Sequence, residues 1–302
     1  MSTAPKPIRI YTLKGPRDQM VLDDGSGLWD LSAYLRLNGR PGDPFELAED
    51  GWFSPTQLES KLPRNGAEGW EPVEAGDDGL PLAELALPLP RSYVGKIVAL
   101  GKNFKAHAEE FQESVPKEPL FFNKLPETLV PTGSEVQIPA WYTERIDHEV
   151  ELAVIIGLGG KDFPEEDAME HVAFFTLAND LTARSLQGQD RKLGYPWFRA
   201  KNMDDFCPLG PALVPAEYLD GGQVHLTCRV NGELRQDAKT QDMVVSIPRA
   251  LAYLSRHFTL NPGDIVLMGT PAGVGPLLHG DQVVCHAPSI GTLTTTILRP
   301  QS

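Results

Sequence analysis

The sequence predicts an α+β fold, mostly β. Three observations carry that expectation. Short apolar runs of strand length recur along the chain and end at glycine, Asn-Gly or Pro-Gly turns. Helical periodicity is confined to a few short segments. Strands and helices do not alternate as a parallel α/β sheet requires.

The first part of the chain, to about Leu89, is rich in Gly, Asp and Pro. Within it Ile8–Leu13 alternates like a strand, and Met20-Val21-Leu22 reads as a strand entering the Asp23-Asp24-Gly25 turn. Ser54 to Leu62 reads as a short helix, with Ser54 as cap and Pro55 at its first position. Leu87-Pro88-Leu89-Pro90 reads as a stiff linker, because proline fixes φ and lacks a donor. The expected division is a small domain over 1–89 and a main domain over 90–302.

From Tyr93 onward the pattern strengthens. Ile97–Leu100 is a short buried strand ending at Gly101, followed by a short helix carrying Ala106 to Phe111. Glu149–Ile156 is a strand, with Glu149 and Glu151 on one face and Val150 and Leu152 on the other. Pro164–Val172 has the proline and first-turn acids of a helix start, and Phe174–Leu177 returns as a strand. Leu226–Leu234 turns at Asn231-Gly232, a strong hairpin signal. Ser246 caps a helix reaching about His257, and Asn261-Pro262-Gly263-Asp264 turns into the strand Ile265–Met268. Val283–Cys285 and Thr292–Leu298 close the chain as strands.

Composition narrows the function. The chain has 302 residues and is 41% hydrophobic, enough to fill a sizeable core. Its formal net charge of -14 lacks the basic footprint that draws nucleic acid or anionic lipid, so neither is an expected partner. Three cysteines, Cys207, Cys228 and Cys285, without a C-x-x-C spacing, argue against a disulfide framework or a thiolate zinc site. The N-terminus shows no secretory h-region, and no apolar run approaches the ~20 residues of a membrane span. The expected location is the cytoplasm.

Five clusters can carry chemistry. In Asp147-His148-Glu149-Val150-Glu151, strand parity sets two carboxylates side by side. Acids this close repel unless a cation sits between them; the plain alternative is an exposed acidic edge strand. Asp180, in Asn179-Asp180-Leu181-Thr182-Ala183-Arg184, follows an apolar strand and would lie at its mouth, or would only cap a helix. Arg184 could face the same site and fork onto a carboxylate, or sit on the surface. His107 and Glu110 are three apart and neighbours on one helix face, an arrangement that raises imidazole basicity but is also common on surfaces. Lys201 lies in the aromatic stretch Pro196–Lys201, and Thr270 in Gly269-Thr270-Pro271-Ala272-Gly273-Val274-Gly275. That glycine run is neither a P-loop nor a Rossmann fingerprint; it reads as a loop whose backbone approaches a ligand.

Taken together and in this order, the clusters resemble the fumarylacetoacetate hydrolase family over about Tyr93 to Leu298. The matching stretches are Val98–Phe104, Asp147–Val154, Asn179–Arg184, Lys201 with Phe206–Pro211, and Gly269–Gly275. The resemblance implies a mixed β-sandwich roll, preceded by a smaller β-containing domain and usually dimeric. It implies that Glu149, Glu151 and Asp180 hold Mg²⁺ or Mn²⁺, an all-oxygen set suited to hard cations. It implies His107 and Glu110 as the acid/base pair, with Lys201 catalytic, and Arg184, Gln187 and Thr270 gripping a small oxo-acid. The implied activity is C–C bond hydrolysis of an acylpyruvate or related β-diketo acid, with oxaloacetate decarboxylase-type or 2-hydroxyhepta-2,4-diene-1,7-dioate isomerase-type chemistry as alternatives. Phe104 where tyrosine is frequent, Ser185 where an acid is common, and Lys124 set one residue apart from Pro126 depart from the commonest pattern.

Overall fold

Two apolar faces meet on the strand Val150–Ile156, whose every residue is buried. Strand parity sends Val150, Leu152, Val154 and Ile156 into one hydrophobic core, and Ala153 and Ile155 into a second. A strand buried on both faces belongs in the middle of a sheet, and this one lies between Val172–Asn179 and Ile265–Leu267. The computed structural model describes residues 8–15, 18–40, 44–50, 67–74, 80–110 and 116–300.

Among these residues a ten-stranded mixed sheet forms the spine. Its spatial order is Leu28–Asp30, Gln19–Asp23, Arg9–Leu13, Cys207–Pro215, Val172–Asn179, Val150–Ile156, Ile265–Leu267, Ile97–Gly101 and Leu120–Lys124. Leu129–Val130 pairs beside Cys207–Pro215. A second, five-stranded sheet runs Glu233–Lys239, His225–Val230, Gln282–Ala287, Gly291–Leu298 and Ser134–Gln137. Leu226, Val230, Val283, Leu293 and Ile297 of this sheet share the first core with Val150 and Leu152. Layered mixed sheets with few helices match the expected α+β, mostly β class. No helix among the described residues is long and apolar enough to cross a membrane.

The second core joins the start of the chain to the rest. Ile10, Leu22, Leu31 and Leu35 pack in it with Ile97, Ile155, Phe174 and Leu213. Arg9–Leu13 pairs antiparallel with Cys207–Pro215 through Ile10 and Leu213. Leu87–Pro90 is no free spacer: Leu89 is fully buried in this core, and Pro88 accepts from Thr12. Its leucines gain more from burial than a solvated linker would allow.

Most local expectations hold. The strand at Ile8–Leu13 forms over Arg9–Leu13, and the Asn231-Gly232 hairpin forms with both residues at positive φ. Ser246 caps Ile247–His257 by accepting from the Arg249 backbone N–H. The expected helix after Pro164 is 3₁₀, over Glu165–His171. Lys105–Glu110 is helical, while Phe111 and the expected helix at Ser54–Leu62 lie outside the described residues. The acids of Glu149–Glu151 do not decorate an exposed edge strand; they lie in the centre of the sheet.

Candidate active site

The face of Val150–Ile156 that carries Ala153 and Ile155 changes from apolar to acidic at its N-terminal end. There the same parity brings up Glu151 and, just before the strand, Glu149. The neighbouring strand pairs Ala178 with Glu151 and Asn179 with Val150, so the next residue, Asp180, emerges beside the two glutamates. Two bonds tie the crossing: Asp180 N–H donates to Glu149 O at 2.8 Å, and Glu149 N–H to Asn179 Oδ1 at 2.9 Å. One oxygen from each of Glu149, Glu151 and Asp180 lies within 4.8 Å of the others, and all three residues are buried.

Buried carboxylates need partners. Lys201 Nζ donates to Glu149 Oε2 at 2.9 Å and to Asp180, and lies 4.9 Å from the centre of the Phe122 ring. Lys124 Nζ lies 2.8 Å from Asp180 Oδ1. Arg184 donates to Glu149, to Asp147 Oδ2 at 2.8 Å and to Gln187 Oε1 at 2.6 Å. Burial alone would raise the Glu149 carboxyl, but Lys201, Arg184 and His107 hold it well below the usual carboxylate range. Glu151 behaves oppositely. Burial, then the charges of Asp180 and Glu149, push its carboxyl well above that range. An all-oxygen cluster in which one acid resists ionisation for want of positive charge fits a hard divalent cation.

The glycine run supplies backbone donors. Gly269 N–H donates to Glu151 Oε2 at 2.6 Å, and Gly273 N–H to Glu110 Oε1 at 3.2 Å. Both residues have positive φ, and a Cβ on Gly273 would come within 1.9 Å of the Arg235 carbonyl oxygen. The loop therefore closes on two acids because it lacks side chains. His107 Nδ1 lies 3.3 Å from Glu110 Oε2. Burial lowers the His107 pKa, and Glu149 and Glu110 offset part of that effect. The imidazole is thus neutral at pH 7.

A cavity of about 240 Å³ gathers these groups. His107, Glu149, Glu151, Asp180, Arg184, Gln187, Lys201 and Thr270 all line it. Glu110 touches His107. Every site residue expected from the sequence is therefore in the cavity wall or touches a residue that is.

Several supporting residues were given no role by the sequence reading. Asp147, fully buried, accepts from both Arg145 and Arg184. Gln236 Nε2 donates to Thr270 Oγ1 at 2.7 Å, while its Oε1 accepts from Val150 N–H at 3.1 Å. Lys124 reaches Asp180 from Leu120–Lys124, an end strand of the ten-stranded sheet. Lys102 and Arg191 also line the cavity. Two of them left a local signal: Asp147, two residues before Glu149, and Arg191, seven residues after Arg184 on one helix.

The profile of the fumarylacetoacetate hydrolase C-terminal region matches residues 96–298. The chain belongs to the fumarylacetoacetate hydrolase family. As a family member it is an enzyme, of a family whose members are metal-dependent hydrolases, decarboxylases or isomerases. The human mitochondrial oxaloacetate tautomerase FAHD2A is 39% identical over 298 residues, covering 96% of this chain and 90% of that protein. Fumarylpyruvate hydrolase from Pseudomonas aeruginosa, solved with Mn²⁺ and pyruvate, superposes with a TM-score of 0.66 at 33% identity, covering 70% of this chain and 91% of that one. The 2-hydroxyhepta-2,4-diene-1,7-dioate isomerase from Mycobacterium marinum superposes with a TM-score of 0.71 at 28% identity, covering 98% of this chain and all of that one.

Proposed function

We propose that this enzyme moves a proton on the enol of a small 2-oxo acid, with oxaloacetate as its substrate. The observation that carries the reading is one cavity walled by three clustered carboxylates and the His107 imidazole. The tautomerase name of a relative matched along nearly the whole chain supports the choice of substrate.

In this reading Glu149, Glu151 and Asp180 would hold Mg²⁺ or Mn²⁺, which would supply Lewis acidity toward the substrate's carboxylate and oxo oxygens. Arg184, Gln187 and Thr270 grip those oxygens and fix the substrate's orientation. His107 accepts the proton as the enol O–H bond breaks and delivers it to C3 as the new C–H bond forms. Glu110 holds the ring through Nδ1 and supports the transient imidazolium. Lys201 adds positive charge beside the oxygen that bears the enol electrons.

C–C hydrolysis of an acylpyruvate is the second reading, favoured by the likeness to fumarylpyruvate hydrolase. There the His107/Glu110 pair takes a proton from water, whose oxygen bonds to the distal carbonyl carbon. The C–C bond breaks, and its electron pair leaves on pyruvate, which is then protonated. Parallel assays with Mg²⁺ separate the two. Enol absorbance of oxaloacetate decaying faster than in buffer, without release of pyruvate or CO₂, supports tautomerisation. Pyruvate release from a 3-acylpyruvate supports hydrolysis, and no metal-dependent turnover of either substrate sinks both.

A homodimer and a cytoplasmic location complete the proposal. Leu120–Lys124 is an end strand of the ten-stranded sheet, and Phe121, Phe122, Trp197 and Phe198 line an apolar hollow beside it. Light scattering that finds only monomer mass at micromolar concentration removes the dimer. Cell fractionation tests the location, since the human relative is named as mitochondrial.

A further inference from the structure

One amide stands directly behind Thr270 in the cavity wall. Gln236 is fully buried on the strand Glu233–Lys239, against the Gly269–Gly275 loop. Its Nε2 donates to Thr270 Oγ1 at 2.7 Å and to Pro271 O at 2.8 Å. Its Oε1 accepts from Val150 N–H at 3.1 Å and lies 3.1 Å from His148 Nδ1. An amide side chain has two N–H donors and two good acceptor sites, and all four are engaged.

Two backbone groups fix which way this amide faces. A backbone carbonyl only accepts, and a backbone N–H only donates. Turned over, the amide would set its oxygen against Pro271 O and its NH₂ against Val150 N–H, leaving buried polar groups unmatched on both sides. Nε2 therefore faces Thr270. The Thr270 oxygen must then accept, because an amide nitrogen has no lone pair to receive the hydroxyl hydrogen. Among the described residues Gln236 is the one hydrogen-bond partner of that hydroxyl. Thr270 lines the cavity together with Glu149, Glu151 and Asp180. Its hydrogen is left for whatever occupies that space.

We propose that Gln236 is a positioning residue that commits the Thr270 hydroxyl to donating into the cavity, so that this wall selects an acceptor oxygen, carboxylate or oxo, over a ligand donor. The inference rests on the reading that Thr270 grips the substrate's oxygens, and adds the residue that gives the grip its direction. The same amide holds Val150, which lies between Glu149 and Glu151, so hydroxyl and acids share one frame.

A double-mutant cycle tests this, read by calorimetry with pyruvate on Mn²⁺-saturated protein. Thr270→Val should weaken pyruvate about tenfold, the loss of one hydrogen bond to a charged acceptor, and Thr270→Ser should stay within about threefold of wild type. Gln236→Met should weaken pyruvate at least about threefold, because the released hydroxyl spreads over three staggered orientations. In the Thr270→Val background the same Gln236→Met change should cost less than about 1.5-fold. Equal losses in both backgrounds would mean that Gln236 acts without the hydroxyl, and would overturn the inference. Gln236→Met also strips Val150 N–H and Pro271 O of a partner, so a second measurement uses no variant. Neutron diffraction on deuterated, ligand-free wild type should show the Thr270 deuteron aimed into the cavity and the amide deuterons aimed at Thr270 Oγ1 and Pro271 O. A Thr270 deuteron aimed at the Gln236 side chain overturns the inference. If pyruvate does not bind the Mn²⁺-loaded wild type, the proposed function falls and the deuteron position alone decides this inference. If the cycle shows coupling but oxaloacetate enol is not turned over, this inference stands and the tautomerase reading falls.

Discussion

The Lys201 ammonium donates to Glu149 Oε2 at 2.9 Å and reaches Asp180 from the same position. The chain thereby supplies its own cation between two of the three clustered acids. Glu151 accepts instead from the Gly269 backbone N–H, a neutral donor. Repulsion judged from sequence spacing treats the acids alike, but the buried lysine makes them unequal.

That inequality predicts opposite effects of two isosteric substitutions in metal-free protein. Burial and its acidic neighbours raise the folded pKa of Glu151 above the unfolded value of about 4.3. The stability from this group is present below about pH 4.3 and is lost as pH rises through the folded pKa. Glu151→Gln removes that loss, so the variant should melt higher than wild type at pH 7 and lose its advantage near pH 4. Glu149 has a depressed folded pKa. Its stability is present above about pH 4.3 and is lost as pH falls through the folded value. Glu149→Gln should therefore melt lower than wild type at pH 7, with Arg184 and Lys201 each losing one charged acceptor. Both variants should shrink the Mg²⁺-induced rise in melting temperature. A Glu149→Gln protein that melts at or above wild type in EDTA at pH 7 contradicts the argument.

The legible part of the site was the part written in local periodicity. Glu149 and Glu151 share a face because strands repeat every two residues, and His107 and Glu110 meet because helices bring i and i+3 together. The hairpin at Asn231-Gly232 and the Ser246 cap were legible for the same reason. What the sequence hid was long-range pairing. Asp147 and Arg184 are 37 positions apart, and Val150 and Gln236 are 86 apart. No window of sequence contains both members of either pair. Leu87–Pro90 misled as a linker because a proline-rich run looks alike whether solvated or packed against a core.

The neutral imidazole gives a kinetic prediction. Burial lowers the His107 pKa, so the acid limb of kcat/KM should lie below the ordinary histidine value of about 6.5. Glu110 raises that pKa, through its charge and its hydrogen bond. Glu110→Gln should therefore move the acid limb to still lower pH while reducing the rate. His107→Ala should lower kcat by about 10²–10⁴, the span of a lost general base, with Mn²⁺ affinity nearly unchanged. An unchanged kcat on the best substrate removes His107 from the mechanism.

The chemistry-bearing residues all follow residue 100, yet a protein that starts at Pro90 should not behave as a free-standing enzyme. The cut removes Arg9–Leu13 from its place beside Cys207–Pro215 and turns that strand into an open edge. It also uncovers Ile97, Ile155, Phe174 and Leu213, now packed on Ile10, Leu22, Leu31 and Leu35. Gel filtration of residues 90–302 should show aggregation. A soluble, monodisperse fragment would show that this shared core is dispensable.

Asp147 separates metal binding from substrate grip. It lies two residues before Glu149 and shares its strand parity, yet its carboxylate turns to Arg145 and Arg184 rather than to the acid cluster. Arg184 is thereby held between Asp147 and Glu149. Asp147→Asn keeps the shape but replaces a charged acceptor with an amide that cannot accept from both guanidinium groups as well. One buried arginine contact is weakened, which should cost about 1–3 kcal/mol and lower the melting temperature. Mn²⁺ affinity should stay close to wild type, because Glu149, Glu151 and Asp180 are untouched. KM should rise more than kcat falls, because Arg184 loses the contact that aims it into the cavity. Mn²⁺ titration and steady-state kinetics on the same preparation decide the matter. If Asp147→Asn abolishes Mn²⁺ binding while Glu151→Gln retains it, the cation site lies elsewhere along this strand.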